Sequence, residues 1–282
     1  MIEATGLHYA YGSLEAVKGI DVRVGPGEVL GFLGPNGAGK STTIKMITGQ
    51  LRPDAGTVRV MGLDLATDRD EAQGHMGVAF EEKNLYDAMT ARENLRFFGR
   101  LFGRKDVDVE GLLRRVGLAD RADDRVKGYS KGMRQRLMMA RVLVNEPDVL
   151  VLDEPTDGLD PVSARSIRTL IREEAERGAS VLLTTHDMHE ADELSDRVAF
   201  VNEGVVLAED APEALKLAHG SRTVRVRTRR DGAVVDESFP LDGVTAAGEI
   251  AAALSGDVIT VHTEEATLED VFVGYAGRGL EG

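Results

Sequence analysis

The chain has 282 residues, no cysteine, and 48 acidic against 34 basic side chains, which gives a formal net charge of −14. The lack of cysteine excludes disulfides and thiolate metal sites, and the acidic balance argues against a nucleic-acid partner held on a broad basic surface. No apolar run approaches the roughly 20 residues that span a bilayer, and the N-terminus lacks the pattern of a signal peptide. We expect a cytoplasmic protein with one large and one small domain.

The first half of the chain combines β-type and helical patterns. Residues 1–60 contain short β-patterned runs broken by Gly-Pro turns, and the segment Gly39–Gly49 within them is predicted to be a helix. From Thr90 to Lys127, apolar residues recur at spacings of three and four, which predicts helices. We interpret this part as a helical insertion at about residues 84–145.

Two continuous apolar runs follow the insertion, Asp148–Pro155 and Ser180–Asp187, with an amphipathic helical pattern between them. Runs of this kind are typical of strands buried on both faces. Strands that alternate with helices indicate an α/β fold with a parallel sheet.

The pattern changes around residues 210–220, so we predict a first domain at 1–215 and a small α+β domain at 216–282. Alternating residues on both sides of Asp231-Gly232 predict a hairpin. Thr267 and Asp270 have the spacing of a capping pair for a last helix.

The segment GPNGAGKST at Gly34–Thr42 fits the pattern G-x-x-x-x-G-K-[ST]. Glycines let successive N–H groups converge on phosphate oxygens, and the helix that follows adds its positive end. We expect Lys40 to reach the β- and γ-phosphates, Ser41 to coordinate Mg²⁺, and Thr42 to donate near the α-phosphate. This motif alone does not separate transporters from GTPases, kinases or helicases. The predicted nucleotide contacts are Gly34, Pro35, Asn36, Gly37, Ala38, Gly39, Lys40, Ser41 and Thr42.

Polar residues end the two apolar runs, and the carboxyl ends of parallel strands line the ligand crevice of such a sheet. Asp153 suits either direct ligation of Mg²⁺ opposite Ser41 or a contact through one of the waters bound to Mg²⁺. Glu154 suits the alignment and deprotonation of an attacking water. His186 ends the other run and could donate to a γ-phosphate oxygen. We therefore predict Glu154, His186 and Lys40 as catalytic residues.

Upstream of the acidic strand, the segment Gly128–Pro147 predicts a helix that is N-capped by Ser130 and has Gly132 in its first turn. With this segment, residues 1–215 resemble the nucleotide-binding subunit of an ABC transporter. The resemblance implies that Ser130 and Gly132 bind the γ-phosphate of an ATP held by the phosphate loop of a second subunit. Two Mg·ATP would then lie inside a head-to-tail dimer.

The resemblance also implies a fold and further contacts. The fold is a P-loop NTPase core with a mixed sheet, a helical signature subdomain and a small C-terminal α+β appendix. Tyr11 would stack on adenine, and Asp160 in the segment GLDP would communicate across the dimer. Glu81, with Glu82 as the alternative match, would contact Mg²⁺ where the family usually has glutamine.

The signature reads Tyr-Ser-Lys-Gly-Met instead of the usual Leu-Ser-Gly-Gly-Gln, so Lys131 and Met133 depart from the family pattern. Such variants, and the C-terminal segment TLEDVF, resemble export-type subunits. Three aromatic residues of the insertion could either dock a membrane subunit or simply pack the insertion: Phe97, Phe98 and Phe102.

The resemblance therefore implies an ATPase subunit on the inner face of the membrane, with ATP and Mg²⁺ as ligands. Its partners would be separate permease subunits and a second ATPase subunit, identical or different, with no nucleic acid. Two alternatives stay open: an importer subunit, and a soluble ABC-type ATPase of translation or repair. The latter usually has two ATPase cores or a long coiled-coil insertion, and neither is visible here. The sequence does not identify the transported substrate or the role of residues 216–282.

Overall fold

The computed structural model describes residues 1–80, 85–219, 223–230, 233–241, 246–264 and 266–278. The chain divides into two compact units, Met1–Glu209 and Asp210–Gly282. This division lies slightly before the boundary expected after residue 215, because the helix Pro212–His219 belongs as a whole to the second unit.

The elements alternate as the sequence patterns indicate. The strands up to residue 210 are β1 (Ile2–Tyr11), β2 (Leu14–Val24), β3 (Val29–Leu33), β4 (Ala55–Val60), β5 (Leu63–Asp64), β6 (Met76–Ala79), β7 (Val149–Asp153), β8 (Ser180–Thr185), β9 (Arg197–Asn202) and β10 (Val205–Asp210). The helices of this part are α1 (Lys40–Ile47), α2 (Arg69–Gly74), α3 (Ala91–Leu101), α4 (Val109–Arg115), α5 (Lys131–Val142), α6 (Pro161–Glu176) and α7 (Met188–Leu194). The remaining elements are α8 (Pro212–His219), β11 (Thr223–Arg230), β12 (Ala233–Pro240), α9 (Ala246–Leu254), β13 (Asp257–Glu264) and α10 (Leu268–Arg278).

A six-stranded sheet in the order β10-β9-β3-β8-β7-β6 forms the centre of the first unit. Neighbouring strands from β9 to β6 run parallel. Every residue of β3, β7 and β8 is buried, which explains their continuous apolar sequences. The parallel α/β sheet predicted from the sequence is therefore confirmed.

A second, antiparallel sheet has the order β2-β1-β4-β5, and it makes the architecture mixed as expected. One hydrophobic core joins this sheet, α1 and the parallel sheet, with Phe32, Ile44 and Leu7 fully buried in it. A second core includes buried residues of α3 to α6 together with residues of β7 and β8. The two cores cover both faces of the parallel sheet and leave the carboxyl ends of its strands for the polar loops.

The second unit contains a three-stranded antiparallel sheet in the order β12-β11-β13, with α9 packed against all three strands. The predicted hairpin strands pair from Thr223 with Pro240 to Arg230 with Ala233, whereas Asp231 and Gly232 lie outside the described residues. The predicted cap of the last helix is confirmed, because the Asp270 N–H donates to Thr267 Oγ1 at 3.2 Å.

None of the helices in the described part of the chain is both long enough and apolar enough to traverse a bilayer.

Candidate functional site

The phosphate loop connects β3 to α1, and its shape depends on two glycines. A Cβ atom on Gly34 would lie 2.0 Å from the Val201 carbonyl oxygen, and one on Gly39 would lie 2.5 Å from the Ala16 carbonyl oxygen. Gly39 also has a φ of 104°, in the region that favours glycine. The backbone therefore passes too close to its neighbours for any side chain, as an anion cradle built from main-chain N–H groups requires.

The lysine of the loop is almost fully buried. Lys40 is 6% exposed, and its Nζ donates to the carbonyl oxygens of Gly34 at 2.5 Å and Pro35 at 3.1 Å. Burial lowers the pKa of Lys40, while the charges of Glu154 and Asp153 act in the opposite direction. Ser41 is exposed on the first turn of α1. A buried ammonium group beside uncapped N–H groups makes the loop a site for a phosphate anion.

The predicted acidic pair and the predicted histidine meet at the ends of adjacent strands. Thr184 Oγ1 on β8 donates to Asp153 Oδ1 on β7 at 2.5 Å. Just beyond the strands, His186 Nδ1 lies 3.0 Å from Glu154 Oε2. This hydrogen bond, together with the negative charge of Glu154, raises the pKa of His186. The structure therefore joins the predicted base and the predicted phosphate contact in one pair.

Glu154 has a φ of 49°, which is uncommon for a residue other than glycine. Its N–H donates to two oxygens of Thr184, the carbonyl oxygen at 3.1 Å and Oγ1 at 3.2 Å. A backbone of this kind persists only where its surroundings hold it, and such positions cluster in functional sites. Thr184 therefore fixes the backbone that carries the Glu154 carboxylate.

The predicted signature helix has the expected cap. Ser130 Oγ accepts a hydrogen bond from the Met133 N–H at 3.2 Å, at the start of α5. A Cβ atom on Gly132 would lie 2.6 Å from Ser163 Oγ, so a side chain at this position would push against α6. Gln135 Nε2 donates to the Pro155 carbonyl oxygen at 2.8 Å, which ties the signature helix to the residue after Glu154.

Of the ten α-helices in the described residues, α1 and α5 are the two that have no carboxylate at the N-cap or in the first turn. The other eight carry at least one aspartate or glutamate there. Carboxylates at these positions stabilise helices but repel a bound anion. The two predicted phosphate-binding helices thus have the N-termini that an anion can approach.

The remaining predicted contacts have different surroundings. Tyr11 is half-exposed at the end of β1, with its ring 4.9 Å from the ring of Tyr9 in an edge contact. Asp160 is the N-cap of α6, and its Oδ1 accepts from the Ser163 N–H at 3.0 Å. Hydrogen bonds from Ser163 lower the pKa of Asp160. Glu81 lies outside the described residues.

Several contacts around the site were not predicted from the sequence. They include Thr184 with Asp153, Gln135 with Pro155, and Lys131 Nζ with Asp157 Oδ2 at 3.6 Å. The adjacent threonines before His186 were a usable signal, because polar residues at the end of a buried strand need hydrogen-bond partners.

The aromatic residues of the insertion differ in their packing, since Phe102 is exposed. Phe97 and Phe98 pack with Tyr86, at ring distances of 4.9 and 5.9 Å. Phe98 also faces a groove of about 340 Å³, whose rim includes the exposed residues Leu101 and Phe102. The guanidinium of Arg141 lies 5.0 Å from the centre of the Phe98 ring in this groove.

Comparison with known proteins identifies the family. The ABC transporter family profile matches residues 17–157. Over 284 residues the chain is 45% identical to the fluoroquinolones export ATP-binding protein of Mycobacterium tuberculosis, an alignment that covers 99% of this chain and 94% of that protein. The chain belongs to the ABC transporter family.

Two further relatives define its place in that family. The chain is 39% identical over 298 residues to the Nod factor export ATP-binding protein I of Paraburkholderia xenovorans, covering 99% of this chain and 98% of that protein. It is also 26% identical to an ATP-binding cassette solved as a dimer in a post-hydrolysis state with ADP and Pi, with a TM-score of 0.67 over 75% of this chain and 98% of that chain.

These relatives make the chain the ATP-binding subunit of an export-type ABC transporter, which hydrolyses ATP to drive transport. The export-type interpretation of the sequence is confirmed over the importer alternative.

Proposed function

We propose that two such subunits pair head to tail around two ATP molecules, with the phosphate loop of one subunit facing Ser130 and Gly132 of the other. The observation that carries this proposal is the pair of helices, α1 and α5, whose N-termini alone among the ten described α-helices carry no carboxylate. One ATP can occupy the phosphate loop of a single chain, so the second anion-facing helix needs a phosphate supplied by a partner.

In the proposed reaction, a water attacks the γ-phosphorus while the bond from phosphorus to the β–γ bridging oxygen breaks. Glu154 aligns this water and accepts its proton. Lys40 and the loop N–H groups stabilise the charge on the phosphate oxygens. His186 holds Glu154 through Nδ1, and its second ring nitrogen can donate to a γ-phosphate oxygen. The adenine ring would stack on Tyr11, and Asp160 would lie at the dimer contact.

The side chains at the site fit a magnesium ion. Ser41 offers a hydroxyl oxygen and Asp153 a carboxylate oxygen, and both are the hard ligands that Mg²⁺ prefers alongside phosphate oxygens and water. Thr184 holds the Asp153 carboxylate in place at 2.5 Å. Bound Mg²⁺ would neutralise part of the phosphate charge. We assign Ser41 and Asp153 to it, and Glu81 stays a third predicted contact.

The substitution Glu154→Gln tests the assigned base. We expect the variant to bind ATP, to accumulate as a dimer, and to lose nearly all turnover, because the amide cannot accept the proton of the water. Size-exclusion chromatography with light scattering and a phosphate-release assay measure both effects. Glu176→Gln, which removes an exposed carboxylate at the end of α6, is the matched control. Turnover of Glu154→Gln at the wild-type rate would show that another group is the base.

We further propose that the subunit lies on the inner face of the cell membrane, where the groove beside Phe98 receives a permease subunit. The support is chemical, since exposed Leu101 and Phe102 on the groove rim offer an apolar contact. We expect Leu101→Glu to abolish co-purification with the permease and leave the ATPase activity of the isolated subunit unchanged. Val234→Glu, at an exposed apolar residue of the second unit, is the control. Retained co-purification of Leu101→Glu would rule out this docking surface.

A further inference from the structure

One buried carboxylate of the first unit has no part in the chemistry described so far. Glu190 lies in the first turn of α7 and is 2% exposed. Burial raises the pKa of its carboxyl, and the hydroxyls of Thr156 and Thr185 act in the opposite direction. Burying such a group is unfavourable unless its oxygens are hydrogen-bonded, and Thr156 Oγ1 donates to Glu190 Oε1.

Both partners of Glu190 lie next to the proposed catalytic pair. Thr156 follows Glu154 by two residues, and its Oγ1 donates to Glu190 Oε1. Asp187 directly follows His186, and its Oδ1 accepts a hydrogen bond from the Glu190 N–H at 3.1 Å. Glu190 therefore connects the segment that leaves Glu154 with the segment that leaves His186.

The segment after Glu154 needs such a support. Glu154 has the uncommon φ of 49°, and its N–H is held from the β8 side by Thr184. Glu190 holds Thr156 from the α7 side. Asp187 in turn fixes the start of α7, because its Oδ1 accepts from the Glu190 N–H at 3.1 Å. The strained residue is thus held on both sides, as a backbone of this kind requires.

We propose that Glu190 is a positioning residue that keeps His186 against Glu154 by holding Thr156 to the start of α7, directly after His186. The inference rests on the proposed roles of Glu154 and His186. Their contact, from Nδ1 to Oε2, is 3.0 Å long. A displacement of about 1 Å in a catalytic group can lower the rate about a hundredfold. Loss of the Glu190 hydrogen bonds therefore affects turnover more than ATP binding.

Steady-state ATPase measurements on Glu190 variants test this proposal. We expect Glu190→Ala to lower kcat about tenfold or more and to change KM for ATP by less than about twofold. Glu190→Gln has the same shape, and its amide oxygen can still accept from the Thr156 hydroxyl. We therefore expect it to restore kcat to within about threefold of the wild-type value. A purely structural role would lower thermal stability in Glu190→Ala without this separation of kcat from KM.

Thr156→Val removes the hydroxyl from the other end of the same hydrogen bond and keeps the volume of the side chain. We expect it to lower kcat about tenfold, and we expect the double variant with Glu190→Ala to lose no more than the larger single loss. Thr228→Val, at a buried threonine of the second unit, is the control for the replacement of a buried threonine by valine. If Glu190→Ala does not fold, Thr156→Val alone decides the question.

A wild-type kcat in Thr156→Val or in a folded Glu190→Ala would overturn the proposal. It would also be overturned if the kcat losses of the two substitutions multiply in the double variant. Glu154→Gln is measured in the same series. If it keeps full turnover, the proposed catalytic base fails first. If it loses turnover while the Glu190 and Thr156 variants do not, the positioning role alone fails.

Discussion

The N-termini of α1 and α5 are chemically alike, but the side chains that contact their N–H groups and supply charge there differ. Both lack the carboxylates found at the other described α-helices. At α1 the N-cap is Gly39, which has no side chain to cap the helix, and the buried Lys40 adds a positive charge. At α5 the Ser130 hydroxyl accepts from the Met133 N–H, and Lys131 pairs with Asp157.

In the proposed dimer, this difference separates a phosphate site that one chain completes from a site that needs a second chain. The N–H groups of α1 are left for a ligand, and the chain itself supplies a lysine for its charge. At α5 the serine occupies one N–H group, and the nearby lysine faces a carboxylate of the same chain. A phosphate that reaches α5 therefore needs other groups to hold it, and in the proposed dimer the phosphate loop of a second subunit would provide them.

The largest expected effect concerns the phosphate loop at the N-terminus of α1. We expect Lys40→Ala to lower ATP hydrolysis about a thousandfold and to weaken ATP binding, because it removes the buried positive charge of the loop. Nucleotide binding by fluorescence and phosphate release measure the two losses. Lys45→Ala, in the last turn of the same helix, should behave as the wild type. Equal losses in both lysine variants would mean that the fold of α1, rather than the charge of Lys40, is responsible.

A smaller effect is expected at the N-terminus of α5. We expect Ser130→Ala to lower turnover about tenfold to a hundredfold while ATP still binds the single chain, since Ser130 is proposed to contact only the partner's nucleotide. The lost cap should also lower the free energy of unfolding by about 1 kcal/mol. Asp108→Ala removes the N-cap of α4, so it should cost similar stability without the loss of turnover. Ser130 would be a structural cap alone if the two variants had the same activity.

The smallest effect concerns the histidine. The contact with Glu154 raises the pKa of His186 above the ordinary value of 6.5. A raised pKa in the folded state means that the pair stabilises the fold fully below pH 6.5, and that this contribution is lost as the pH rises through the folded-state pKa. His186 is largely exposed, so the change in stability should be slight. In an NMR titration without nucleotide, Glu154→Gln should move the His186 midpoint to lower pH; an unchanged midpoint would contradict the pairing.

Much of this arrangement could be predicted from the sequence, because local rules dictate it. The glycines of the phosphate loop, the N-cap at Ser130 and the buried strands that end at Asp153 and Thr185 all follow from residue type and spacing. The family resemblance supplied the roles of Tyr11 and Asp160, and the structure adds that Asp160 also caps α6.

Contacts between distant segments could not be predicted in this way. Glu190 meets Thr156 across 34 positions of the chain, and Gln135 meets the Pro155 carbonyl across 20. Such pairs depend on which strands become neighbours in the sheet, and no local pattern contains that order. The change in pattern around residues 210–220 indicated the region of the division, and the position within that region depends on α8 belonging as a whole to the second unit.

Mixing two impaired variants tests the shared site most directly. Lys40→Ala lacks the lysine of the phosphate loop and keeps Ser130. Ser130→Ala keeps that lysine and lacks the serine. A mixed dimer therefore contains one site in which an intact loop faces an intact serine. We predict that an equimolar mixture hydrolyses ATP several-fold faster than the mean of the two variants measured separately. Turnover equal to that mean would show that Ser130 acts on the nucleotide of its own chain, and it would contradict the shared site.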